Sequence, residues 1–485
     1  MNIFSGATAV GIQMVATVVL ARLLLPRDFG LVAMVVTFSL LLTSAAPNGF
    51  IDSILQLKEI DRALATNLFW INLAIGTLLA GVFAAAAPLV ARFYHEPAAA
   101  PITLALSITI LLSNAPCIHA SLLRRAMRFP ALARNDIVAR TLSVVVSIAF
   151  GIAGWGYWAL VMGQCALYVS TFVGIFLLCP WLPGLPQRRP GTRTVLVFAA
   201  HISTRYSVNY FVRNFDNLLV GWRFGANPLG FYKKAYDLFA MPLTQIVSSN
   251  ANVAVSALSR VREDRPQFMR YLMGGIGMLA FLGMGISGDF TLAGKDIIRV
   301  LMGPNWGTTG RIFTFFAPAI GIMMVNGVHG WIHVSLGHAD RWLRWGIFEW
   351  VITCSLFLAG LHWGPQGVAV AWCVAFWVLT LPAIWYAGRP IGLGVGQVVG
   401  AIWRYITAAA AAGGLSHFTL KHLPALDQMP GAQGAALRIA FATLEFATLY
   451  LLGVIVLHRG LAPLRTTAKL LKDLRGRKRG SVEGV

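Results

Sequence analysis

Fourteen apolar runs, each about twenty residues long, follow one another along the chain, and this leaves few folds open. They fall near 2–24, 29–53, 66–91, 99–122, 137–154, 157–179, 194–222, 231–258, 268–292, 309–335, 343–362, 366–387, 398–415 and 433–457. Runs of this length match the hydrocarbon thickness of a bilayer, and they do not alternate as barrel strands do. Only 12% of the 485 residues are charged and 57% are hydrophobic, against about 25% charged in soluble domains. No soluble surface can be built from this chain. In lipid the backbone must satisfy its own hydrogen bonds, so the runs are read as transmembrane helices and the fold class as all-α integral membrane. The spans at 194–222 and 231–258 are the most polar and give the weakest hydropathy signal.

A net charge of +21 would suggest nucleic acid in a soluble protein, but no soluble basic domain is present to carry it, and no nucleic-acid partner is expected. Placing the N-terminus in the cytoplasm and alternating sides puts twenty-four Lys and Arg on one side and nine on the other. The rich side includes Lys58, Arg62, the Arg124–Arg134 loop, Arg188, Arg189, Arg193, the Arg260–Arg270 loop and the tail from Arg459. That asymmetry is the positive-inside pattern and predicts an N-in, C-in multi-pass protein. The first run starts at Ile3 with no basic segment before it, so it is read as a span and not as a cleaved signal.

The sequence repeats with an offset near 200 residues. Ala21-Arg22-Leu23-Leu24-Leu25-Pro26-Arg27-Asp28-Phe29-Gly30 is matched by Gly221-Trp222-Arg223-Phe224-Gly225-Ala226-Asn227-Pro228-Leu229-Gly230. Acid–base runs near 51–62 and 257–265, and the Gly156-Tyr157 and Gly364-Pro365 helix starts, keep the same order. Six helices repeated in one orientation give two pseudo-symmetric six-helix lobes, an architecture that transporters use with the substrate between the lobes. The expected organisation is an N-lobe over 1–179, a basic linker over 180–193, a C-lobe over 194–388, two further helices over 389–458 and a basic tail over 459–485.

Carrying the segments ARLLLPRDFGLVAM, RRAMRFPALARND, GYWALVMG, LGFYKKAYDLFAMPLTQIVSS and SALSRVREDR in that order, the chain resembles the Wzx-type polysaccharide flippases, in particular their colanic-acid and exopolysaccharide branch. These belong to the multidrug/oligosaccharidyl-lipid/polysaccharide exporter superfamily. The resemblance covers nearly the whole chain. It implies a bacterial inner-membrane flippase for undecaprenyl-diphosphate-linked oligosaccharide repeat units, serving exopolysaccharide or O-antigen-type synthesis by alternating access. It also implies a V-shaped cavity, a lipid-tail groove near the last two helices, and pathway partners that polymerise the repeat and set chain length. Family members usually carry a few more residues before the first helix than this chain does.

A charge at the bilayer centre costs about 2.5–3.5 kcal/mol on insertion scales, so ionisable groups inside spans are candidates for function. His201, Arg205, Asn209, Arg213 and Asp216 fall within about 120° of one face of the seventh span. Arg205 and Arg213 offer the planar donor fork that suits a diphosphate, though Arg213 and Asp216 are also spaced to pair. Arg22 and Arg223 end the first helix of each lobe and are read as residues of a cavity mouth or as interfacial anchors. Gln245, Ser249 and Asn252 form a polar face on the eighth span that suits sugar contact or helix–helix bonding. Thr43, Ser44, Asn48 and Asp52 are its first-lobe counterpart. Asp216, Asp237 and Glu349 are the candidates for ion coupling, with Glu445 a further acid inside a span.

Other chemistries find no support. His329, His333 and His338 have ligand-like spacing without the glutamate of a zincin helix, and no metal is expected. The Gly288–Asp296 segment fails the phosphate-loop pattern, so no ATP site and no cofactor are expected. The five cysteines form no CxxC pair and read as small buried hydrophobes. The rival functions are a membrane polysaccharide polymerase or glycosyltransferase, and a small-molecule exporter of the same fold. A polymerase would want catalytic residues on a large external loop, whereas the longest one here, near 416–432, holds only Asp427. A drug-cation exporter would want acids where the seventh span has arginines.

Overall fold

The computed structural model describes residues 2–57, 60–186, 192–423, 426 and 429–461. The basic tail beyond Leu461, and Lys58, Arg188 and Arg189 of the expected cytoplasmic loops, lie outside the described residues. All regular structure among the described residues is helical, and each of the fourteen expected spans is occupied by helix. Among the described residues, ten helical stretches are long and apolar enough to cross a membrane. One of these, 339–391, is broken at Leu361–Trp363 into two helices packed on each other. The protein is a multi-pass all-α membrane protein.

The chain forms two compact units, 1–233 and 234–485. The first holds α1 (Asn2–Leu23), α2 (Pro26–Gln56), α3 (Arg62–Ala85), α4 (Ala87–Tyr94), α5 (Ala99–Asn114), α6 (Cys117–Arg125), α7 (Phe129–Ile152), α8 (Tyr157–Leu178) and α9 (Thr192–Phe224). The start of α10 (Ala226–Pro242) closes it. The units follow packing and the expected lobes follow the sequence repeat; α9 packs along α2 and so belongs to the first unit. At its core Phe50, Ile54, Leu68, Cys117 and Ile118 are buried together.

Several spans are broken, and the breaks have chemical causes. Pro116 separates α5 from α6, since proline cannot donate and its ring clashes with the preceding turn. The carbonyl of Asn114 at that break accepts from Asn72 Nδ2 at 2.7 Å. Pro47 sits inside the continuous α2, and its own carbonyl accepts from Cys117 Sγ at 3.3 Å. The ends of α2 and α8 are closed by arginines of the 124–128 loop. Arg125 Nη1 donates to the carbonyls of Ile54 at 2.9 Å and Leu57 at 2.6 Å, and Arg128 Nη1 to that of Leu178 at 3.2 Å. Arg125 and Arg128, counted in the expected basic asymmetry of the loops, therefore also cap helices. Beyond α8, residues 179–186 are pinned to the first unit. His119 Nε2 donates to the Trp181 carbonyl at 3.0 Å and Trp70 Nε1 to that of Gly184 at 2.8 Å.

The second unit holds the rest of α10, a π-helical turn at Leu243–Ser248, α11 (Ser249–Arg260), α12 (Arg265–Met302) and α13 (Gly307–Phe316). It continues with α14 (Ile320–Asn326), α15 (Val328–Leu336), α16 (Ala339–Gly360), α17 (Gly364–Gly388), α18 (Val395–Lys421) and α19 (Gly431–Leu457). Pro242 ends α10 ahead of the π turn, and Pro318 lies in the tight turn between α13 and α14. Ser287 Oγ and Trp377 Nε1 donate to the carbonyls of Ala317 and Pro318 in that turn, at 2.7 and 3.2 Å. Phe239 and Phe316 stack at 4.7 Å beside Tyr236 and Trp372.

α12 corrects one expectation. The ninth span, expected to stop at 292, continues as helix to Met302, because Asp296 is neutralised within the bundle and needs no loop. Arg438 of α19 holds Asp296 with both ends of its fork, Nε to Oδ2 at 2.9 Å and Nη2 to Oδ1 at 2.7 Å. Its Nη1 donates to the carbonyl of Met429 at 2.9 Å. Both side chains are largely buried, so removing one partner strands the other charge. Arg438→Ala is expected to cost about 3–5 kcal/mol of stability. The double variant Asp296→Asn with Arg438→Gln should cost less, as read from thermal melts of the purified protein.

Candidate functional site

α9 carries the densest set of candidate residues, and α2 positions it. Ser53 Oγ donates to the Gly49 carbonyl at 2.6 Å, and Gly49, having no side chain, lies close against the Ala199 carbonyl and Ser203 of α9. Small residues let two membrane helices approach this closely. On the neighbouring turn Tyr206 donates its hydroxyl to Asp52 Oδ2 at 3.2 Å. This bond links α9 to the polar set expected on α2, where Asn48 and Asp52 are half-buried and Thr43 is buried. The Tyr168 hydroxyl donates to Thr43 Oγ1 at 3.4 Å. Neither tyrosine stands out in the sequence, because a tyrosine inside an apolar span looks like packing.

Of the cationic stripe, His201 and Arg213 are exposed. The side chains of Arg205 and Asn209, and those of Gln245, Ser249, Asn252 and Ser44, lie outside the described residues. Asp216 shares the helical arc with Arg213 but is fully buried. Its Oδ2 accepts from the Tyr232 hydroxyl at 2.7 Å and its Oδ1 from the Asn217 amide at 2.8 Å. Helical angle alone misses this difference, because the end of α9 turns against α10 and buries a position that would be open mid-helix. Asp237 on α10 is exposed and Glu349 on α16 half-buried. Asp289 on α12 and Glu445 on α19 each bury one carboxylate oxygen with no hydrogen-bond partner. Asp289 gives a weak sequence signal because it lies near the expected end of its span.

Arg22 and Arg223 are exposed in the last turns of α1 and α9, and Arg223 lies 5.8 Å over the Phe224 ring. The turns that follow meet. A Cβ on Gly30 would overlap the Ala226 carbonyl, and one on Gly230 would overlap the Pro26 carbonyl. The pairs 30/226 and 230/26 exchange under the 200-residue offset. A reciprocal contact of this kind is the signature of a local two-fold relation between repeated segments. It brings the two arginine-ended helices together at their turns.

Comparison with known proteins places this arrangement. Residues 19–309 match the family model described as polysaccharide biosynthesis protein. The chain belongs to this family. Its relatives include the succinoglycan biosynthesis transport protein ExoT of Rhizobium meliloti, 22% identical over 393 residues, covering 80% of this chain and 79% of the relative. The lipopolysaccharide biosynthesis protein WzxC of Escherichia coli is 20% identical over 408 residues, with 81% of each chain covered. Among solved structures, the lipid II flippase MurJ in an inward closed conformation superposes with a TM-score of 0.72 at 12% identity, over 94% of this chain and 98% of that one. A multidrug-resistance MATE transporter of the MOP superfamily gives 0.65 at 13% identity, over 78% of this chain and 94% of that one. The family assignment agrees with the sequence resemblance, and the fold is that of these transporters.

The reciprocal glycine contact makes a direct prediction. Gly30→Ala forces a methyl into backbone and is expected to destabilise by about 1–3 kcal/mol or more. Gly81→Ala on α3, where a Cβ meets nothing within 4 Å, should be neutral or stabilising by up to about 1 kcal/mol. Melting temperatures of the two variants in detergent check the contrast.

Proposed function

We propose that this chain is a flippase that moves undecaprenyl-diphosphate-linked oligosaccharide repeat units from the cytoplasmic to the periplasmic leaflet of the bacterial inner membrane. The product feeds exopolysaccharide or O-antigen-type synthesis. The observation that carries the reading is the exposed basic face of α9, with His201 and Arg213 at the surface of a helix set among apolar spans. A lipid-facing helix does not keep such a face, whereas a helix bordering a wet path does. Membership in a polysaccharide biosynthesis family and the fold shared with a lipid flippase support it. The transported species is unchanged by the protein, which acts as a transporter and not as an enzyme.

In this reading Arg205 and Arg213 receive the diphosphate, with Arg22 and Arg223 at the mouth of the path. Permanent guanidinium charges suit a group that stays ionised at any cellular pH. His201, Asn209, Gln245, Ser249 and Asn252 offer donors and acceptors to the sugars. The two lobes, 1–179 and 194–388, rock about a substrate between them, and the termini lie in the cytoplasm. Energy comes from a gradient, the membrane potential or the substrate cycle; among the ion-coupling candidates, Asp216 has the buried, tyrosine-held carboxylate that a discrete binding event needs. Partners are the lipid-linked oligosaccharide, membrane lipids, and the polymerase and chain-length proteins of the same pathway.

The test uses a deletion strain complemented with wild type, Arg205→Ala, Arg213→Ala or Arg213→Lys. Loss of one charge-assisted contact should slow delivery of repeat units about tenfold, with lysine recovering part of it. Intact lipid-linked units should build up on the cytoplasmic leaflet while the variant protein inserts normally. Normal flux in both alanine variants removes the cationic site. Units that reach the periplasm unpolymerised point to the polymerase reading instead.

A further inference from the structure

One end of the second unit gathers nitrogens that have nothing to bond. His333, in the last turn of α15, is fully buried, and neither ring nitrogen has a partner. His338 Nδ1, Arg341 Nε and Trp345 Nε1 are buried without partners in the same region. Three of these side chains share one centre, the ring of Tyr386 at the end of α17, and His338 is tied to His333 through the backbone. His333 lies 6.1 Å from that ring, Trp345 is stacked at 5.6 Å, and the Arg341 guanidinium sits 4.5 Å over it. Trp342 stacks 6.5 Å from His333 on the other side. Arg341 is held in place by Nη2 donating to the Tyr386 carbonyl at 2.6 Å, which leaves its Nε free.

At least three of the five orphan nitrogens are donors. Arginine Nε and tryptophan Nε1 can only donate, and one nitrogen of His333 carries a proton in either neutral tautomer. A buried group left unbonded is costly, so a set of converging donors calls for an acceptor. No group of three or more His, Cys, Asp or Glu is placed to hold a metal among the described residues. The left-handed Gly337 turns the chain from α15 into α16, and the His338 amide closes onto the His333 carbonyl at 2.9 Å. The first turn of α16 therefore opens beside the niche, and its unbonded amides favour an anion. The nearest acid, Asp340, is paired with Arg344 at 3.5 Å. Arg389 lies 5.9 Å over Trp385, next to Tyr386, and adds positive charge.

We propose that His333, His338, Arg341 and Trp345 form a phosphate-binding niche that holds the headgroup of an anionic phospholipid. The lipid source is favoured over a free anion by α16 itself. Leu343, Ile347, Val351 and Leu358 follow one another along its exposed face, an apolar track for acyl chains leading away from the niche. In the N-in orientation, which rests on the reading above, this end meets the anionic cytoplasmic leaflet. The niche lies wholly in the second unit and uses none of the proposed substrate residues.

The full chain, purified in detergent, is melted against rising phosphatidylglycerol, phosphatidylcholine or inorganic phosphate. Phosphatidylglycerol should stabilise the wild type at concentrations where the other two do not. Arg341→Gln and His333→Phe should each shift that dependence about tenfold or more. Trp345→Phe removes one donor while keeping the stack, and serves where the first two fold poorly; Arg311→Gln, on an exposed turn of α13, should change nothing. If inorganic phosphate stabilises as well as the lipid does, the site takes a free anion and the lipid assignment falls. If His333→Phe raises the melting point and leaves the lipid response intact, the niche holds only water and the proposal is overturned.

Discussion

Everything in this protein follows from the rule that a backbone in lipid must bond to something of its own. An unbroken helix meets the rule automatically, yet this chain breaks many of its helices, at Pro116, at Pro242 and at Pro318. Each break frees a carbonyl, and a side chain from another helix often covers it. Asn72, Ser287 and Trp377 do this inside the bundles, and Arg125 and Arg128 do it at helix ends. The polar residues inside the spans thus divide into two populations. One repairs the backbone and the other is left over, and the left-over groups are where a ligand has to be sought.

That division explains what the sequence could and could not tell. The all-helical membrane fold and the places of its helices were legible because length and apolarity alone set them, and so was the weakness of the spans now seen as α9 and α10–α11. The proline breaks carry their own cause in the sequence, although Pro47 leaves α2 continuous. Asp296 was not, because a charged cluster near the end of a span reads as a loop until its partner Arg438 is found 142 residues away. Asp216 was placed on the right helix but in the wrong setting, since helical angle says nothing of the turn against α10 that buries it. His333 read as one of three histidines with ligand-like spacing and no accompanying glutamate; the absence of partners around both nitrogens sets it apart. For Arg205, Asn209, Gln245, Ser249 and Asn252 the reading still rests on sequence spacing.

Charge in this chain serves three separate ends. Loop arginines close helices, as Arg125 does, besides adding to the asymmetry from which an N-in orientation is expected. Arg438 cancels an acid inside a bundle, where an unpaired charge would be costly. Arg213 has an exposed side chain on a helix that neighbouring spans would otherwise make apolar. A formal charge of +21 is thus spread over tasks of different energetic weight, and its total says little about any of them.

The meeting of Gly30 with Ala226 and of Gly230 with Pro26 has a bearing on the history of such a chain. When a gene doubles, most positions in the two copies come to lie in different surroundings and can drift apart. A position on the symmetry axis is different, because it faces its own duplicate. Any side chain gained at one copy is pressed against the other, so both remain bare while their neighbours diverge. The glycine pair is in this sense a mutual constraint, a seam at which neither repeat can gain a side chain alone.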